Sequence, residues 1–100
     1  MEIQHDETGK RFLAMVDGHE AHAAYTLGNG RLDIRHTLVP EAIGGRGVAS
    51  ALVKAAYDYA LAHGLKPVAT CAYAVAWLKR HPEYGGETGP DYAGKGSCAL

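Results

Sequence analysis

Net charge, cysteine and long apolar runs are all scarce in this chain, and each scarcity excludes something. Lys and Arg number 10 against 11 Asp and Glu, a formal net charge of -1. A chain so balanced has no basic field of the kind that supplies most nucleic-acid affinity, so DNA and RNA are not expected partners. There are 2 cysteines, Cys71 in a strand-like run and Cys98 in a glycine-rich end, too few for the disulfide framework of a small secreted domain. Both are expected as free thiols in a reducing compartment. No stretch approaches the roughly 20 apolar residues that cross a bilayer, and "MEIQHDETGK" has neither the basic nor the hydrophobic region of a signal peptide. The expected address is the cytoplasm, with no membrane partner.

What is present reads as one α+β domain. At 100 residues the chain supports a single core, and any ligand site must lie on or across it. Hydrophobic residues make up 47% and charged residues 21%, which argues against wholesale disorder. The first half alternates between short strand patterns and turns: Glu2 to His5, Arg11 to Val16, the dipeptide Asp17-Gly18, His19 to Leu27, "GNG", and Arg31 to Val39. By the period of two, Leu32, Ile34, His36 and Leu38 share the core face of that last strand, with Arg31, Asp33, Arg35 and Thr37 on the other.

From Gly47 to about His63 the period becomes helical, with Val48, Leu52, Ala55, Ala56 and Tyr59 inward and Ser50, Lys54 and Asp58 outward. Gly64 is the expected C-terminal glycine. "KPVATCAY" is a short buried strand, Tyr73 to His81 a second helix with Trp77 in the core, and Pro82 its stop. The strand after the long helix returns parallel to its predecessor by a right-handed crossover, giving a mixed, mainly antiparallel sheet covered by two helices. The domain is expected over residues 1–84. The glycine-rich residues 85–100 are expected as a flexible tail, dispensable beyond Gly86.

The segment "HTLVPEAIGGRGVASALVKAAYDYA" carries the chemistry. Where a strand feeds a helix, several backbone N–H groups lack partners and the peptide dipoles place about half a positive charge, a setting that attracts phosphate. Gly44, Gly45 and Gly47 keep Cβ atoms out of the way, Arg46 adds a cation and Ser50 a hydroxyl. A P-loop is excluded, since no lysine follows these glycines at the required place. The dinucleotide fingerprint is nearly matched by "GRGVAS", but Ser50 replaces its third glycine, the preceding strands are hairpins, and "LKP" stands where an acidic ribose partner belongs. The bland alternative is a tight turn with no ligand.

The third candidate is the pyrophosphate loop of the GNAT-type N-acetyltransferases: Gln or Arg, two residues, Gly, one residue, then Gly or Ala. Gly45 and Gly47 supply its glycines, and Ala42 stands where Gln or Arg is usual. From His36 to Tyr84 the chain resembles the small stand-alone, minimal GNAT-like family, through "HTLVPEA", "GRG" and "TCAY" in order and at family spacing. The resemblance implies a GNAT-like sheet that binds acetyl-CoA, with the pyrophosphate on Gly44, Gly45, Arg46, Gly47, Val48, Ala49 and Ser50. It further implies a pantetheine arm along Leu38 and Val39, and a thioester aimed between two splayed strands.

It also implies an N-acyltransferase that moves acetyl to an amine. The alternatives are a CoA or acyl-CoA binding module without turnover, since the N-terminal helices that help form the acceptor site in larger relatives are missing, and a protein-interaction domain. Cys71 matches the cysteine that the family places near the acetyl group, and equally fits a buried small hydrophobe. Tyr73 suits a proton donor to the departing thiolate, and equally packing. His36 and Glu41 are candidate bases, although a histidine on an apolar face is more often a core residue. His19 and His22 fall on opposite faces of a strand, and no metal is expected.

Overall fold

A computed structural model describes residues 2–90 and residue 92. Six strands form one sheet in sequential order: β1 (Ile3–Asp6), β2 (Arg11–Val16), β3 (His19–Gly28), β4 (Arg31–Leu38), β5 (Lys66–Ala69) and β6 (Glu87–Thr88). The first four pair antiparallel, while β4 with β5 and β5 with β6 are parallel. Asp17-Gly18 and Asn29-Gly30 both take positive φ at the hairpin tips, the type I′ geometry whose twist matches the strands it joins. Helix α1 (Val48–Ala62) links β4 to β5 and helix α2 (Ala72–Arg80) links β5 to β6. Both are crossovers in the same direction along the sheet, so right-handedness puts both helices on one face.

The core lies between that face and the helices. Phe12, Ala14, Ala21, Ala23, Tyr25, Leu32 and Ile34 from the sheet meet Val48, Leu52, Val53, Ala56 and Tyr57 of α1 and Val75, Trp77 and Leu78 of α2. Alanines at positions 14, 21 and 23 give the helical side chains room, since each fully buried alanine adds one methyl to the sheet surface. Tyr57 is fully buried and donates its hydroxyl to the Val68 carbonyl at 2.8 Å, tying α1 to β5. Burial holds that hydroxyl protonated far above the usual phenol range. The opposite face carries Leu13, Met15, His22 and Ala24, none of them fully buried, and no helix among the described residues.

Two expectations are corrected here. The register between β3 and β4 shifts: Ala24 pairs with His36 but Tyr25 pairs with Ile34, so Arg35 is an extra residue on β4. A one-residue insertion reverses the faces beyond it. Thr37, opposite buried Ala23, therefore takes the core side, and His36 is exposed rather than on the core face. The second correction concerns the end of the chain. Glu87–Thr88, expected in the tail, form β6, and the Gly89 amide donates to the Ala69 carbonyl at 2.7 Å. A Cβ on Gly89 would come within 2.4 Å of Thr70 Oγ1, so glycine composition there reflects close packing and not freedom. Residues 93–100 lie outside the described residues.

Candidate functional site

The parallel pairing of β4 and β5 ends at Ile34 and Ala69. Past that point both the Thr70 and Cys71 amides donate to the Ile34 carbonyl, at 3.0 and 3.1 Å. The chain then turns away into α2 while β4 runs on to Leu38. The two strands therefore part, with Leu38 and Val39 on one side of the gap and the start of α2 on the other. Beyond β4, Pro40 and a single 3-10 turn, Glu41–Ile43, lead into the glycine loop. Ile43, fully buried, pins that turn to the core.

The loop bends because Gly45 and Gly47 both sit at φ 76°, the left-handed region that glycine enters without steric cost. Gly47 is the residue before α1 and caps it without a side-chain hydrogen bond. The first-turn amides of α1 are thus not met by a capping side chain, and no acidic residue lies in that turn. A Cβ built on Gly45 or Gly47 meets nothing within 4 Å. That open space belongs to a concavity of about 300 Å³ lined by Val39, Gly44, Gly45, Gly47, Val48, Ala49, Ser50 and Tyr73.

The structure therefore brings together most of the residues singled out from the sequence, with two differences. Arg46 points elsewhere: its guanidinium pairs with Asp17 on the β2–β3 hairpin, and both are exposed. His36 sits on the open face of β4. Cys71 is fully buried at the N-terminus of α2, with Sγ 3.4 Å from Thr37 Oγ1. Cys98 lies outside the described residues.

Sequence reasoning missed two polar links. Asp33 accepts from Thr70 Oγ1 at 2.9 Å and from Arg35 at 3.1 Å, a cluster across β4 and the end of β5. Trp77 Nε1 donates to Ser50 Oγ at 3.0 Å, joining the two helices beside the concavity. Neither pair has a local spacing signal.

A family model for GCN5-related N-acetyltransferases matches residues 11–88. The chain belongs to the GCN5-related N-acetyltransferase family. Among relatives of this family, the NATD1 protein of Homo sapiens is 34% identical over 83 residues, covering 80% of this chain and 74% of that one. That of Danio rerio is 34% identical over 89 residues, covering 84% and 81%. In three dimensions the chain resembles the NMR solution structure of a GCN5-like protein from Staphylococcus aureus at a TM-score of 0.67 and 30% identity, covering 87% of this chain and 86% of that one. The GNAT-like fold expected from the sequence is the fold observed, and the strand-to-helix loop with its concavity lies inside the matched region of this acetyltransferase family.

Proposed function

We propose that the chain transfers acetyl from acetyl-CoA to an amine. The observation that supports this most is continuity: the concavity at the start of α1 has Tyr73 on its wall and opens beside the gap between β4 and β5. One end thus suits an anion and the other a thioester. The space that Cβ atoms would fill at Gly45 and Gly47 fits a pyrophosphate, and the α1 amides and dipole supply its donors. Beside the gap, Leu38 and Val39 have no strand to pair with on the β5 side among the described residues. An amide-bearing arm such as pantetheine pairs there as an added strand does.

Bound CoA thioester supplies an acyl group already activated, so the chain has to position and to stabilise charge. The backbone amides at Leu38 and Val39 receive the negative charge that develops on the acetyl oxygen. The amine nitrogen bonds to the acetyl carbon as the carbon–sulfur bond breaks. One proton reaches the sulfur, from Tyr73, and one leaves the amine, to water or to His36 or Glu41, both exposed. Cys71 shapes the buried wall of the gap, and the direct route does not use its sulfur. Arg46, once released from Asp17, is within the loop that holds the phosphates.

Calorimetry with CoA, acetyl-CoA and NAD tests the binding, with NAD much the weakest. Thiol release from acetyl-CoA should then require an added amine. Binding without amine-dependent turnover across a broad amine panel would leave a CoA-binding module, and no binding of any CoA ester would overturn the reading entirely.

A further inference from the structure

Ser50 stands in the first turn of α1 and on the wall of the concavity. Its Oγ lies 3.0 Å from Nε1 of Trp77. An indole N–H only donates, so the serine oxygen is the acceptor and its own proton is left for another partner. A serine inside a helix commonly returns that proton to the carbonyl four residues back. For Ser50 that residue is Arg46, which precedes the helix, and the Gly47 carbonyl already accepts from the Ala51 amide at 3.0 Å. Among the described residues the Ser50 proton has no protein acceptor, and open space lies before it.

The donor is held firmly. Trp77 is 1% exposed, and its ring is packed by His81 at 4.0 Å, Tyr84 at 5.0 Å and Tyr57 at 5.8 Å between centroids. An indole wedged on three sides cannot turn its N–H elsewhere, so the direction of the serine hydroxyl is set by the core. We infer that Trp77 is a positioning residue: by occupying the Ser50 oxygen as donor, it turns the serine proton into the concavity as a donor reserved for an anionic oxygen, the pyrophosphate of CoA. This rests on the acetyl-CoA reading and adds to it a selection for phosphate-bearing acyl carriers over simpler thioesters. A serine without the indole would share its time between donating and accepting; with it, an acceptor is the only group that fits.

The test is a double-mutant cycle of Trp77→Phe and Ser50→Ala, titrated with acetyl-CoA and with S-acetylpantetheine, which lacks the pyrophosphate. Ser50→Ala should bind acetyl-CoA about tenfold more weakly, the loss of one hydrogen bond to a charged group, Trp77→Phe should lose a smaller part of that affinity, and both should bind S-acetylpantetheine as the parent does. The double variant should be no weaker than Ser50→Ala alone. Because Trp77→Phe alters the core, a second measurement stands apart from it. The chain has 1 tryptophan, so one indole N–H cross-peak in a ¹H–¹⁵N spectrum reports this bond. It should move in Ser50→Ala without ligand and in the parent on adding CoA, but not when CoA is added to Ser50→Ala. A cross-peak indifferent to Ser50→Ala and to CoA, or equal losses for both thioesters, overturns the role of Trp77 while leaving CoA binding standing. A parent that binds no CoA ester overturns both.

Discussion

Gly47 and Gly64 flank the two ends of α1, at φ 76° and 69° respectively, and a Cβ on either meets nothing within 4 Å. Substituting alanine costs the same kind of energy at both. The left-handed conformation disfavours an L side chain by roughly 1–2 kcal/mol. The smaller entropy of the unfolded alanine chain offsets about 0.4–1 kcal/mol of that. A net loss of about 1 kcal/mol corresponds to a fall in Tm of about 4–8 °C for a domain of this size. The two variants should therefore melt alike. Their affinities should not be alike, because only the methyl of Gly47→Ala enters the concavity at the start of α1. Displacing the phosphates there should weaken CoA at least about tenfold, or roughly 1.4 kcal/mol, while Gly64→Ala binds as the parent does. Thermal melts paired with CoA calorimetry on the two variants decide the matter. If Gly47→Ala binds CoA as tightly as Gly64→Ala, the glycine loop is a turn and the cradle assignment is wrong.

Tyr57→Phe removes the hydroxyl that donates to the Val68 carbonyl; urea unfolding should show a loss of about 0.5–1.5 kcal/mol, the net worth of one hydrogen bond, since the β4–β5 ladder still meets that carbonyl. Burial pushes the His5 and His22 imidazoles below their ordinary value of 6.5. Each binds protons more readily when unfolded, so their contribution is complete above pH 6.5 and is lost as the pH falls through it toward the folded values. The urea midpoint should drop between pH 7.5 and 5.5, and less so in His5→Gln; a midpoint that rises on acidification would refute the assignment. Ending the chain after Gly86 removes β6 and the Gly89–Ala69 hydrogen bond, so that truncation should lower Tm, contrary to what glycine content alone suggests. Intact mass measurement with acetyl-CoA under reducing conditions should show no acetyl adduct, and Cys71→Ser should keep most turnover; a single added acetyl that the serine variant loses would establish a covalent route through Cys71.

Periodicity over a few residues determined most of the elements, because alternation and helical spacing are local consequences of burying one face. The four strands, the 15-residue α1 and its following Gly64 all sit within a residue or two of where pattern and turn chemistry place them. The glycine loop was legible for the same reason: a positive φ and an uncrowded helix start demand glycine at Gly45 and Gly47 whatever the rest of the fold does.

What only the tertiary structure decided depended on partners distant in sequence. The side of β4 that His36 occupies follows from an extra residue at Arg35, visible only in the pairing with β3. β6 is two residues long, too short for any period, and exists because β5 offers an edge to pair with. Arg46 is drawn off the loop by Asp17, 29 residues away. Trp77 meets Ser50 only because two right-handed crossovers stack both helices on one face of the sheet. Each of these is a contact whose energy appears only once the chain has closed on itself, so no window of neighbouring residues can announce it.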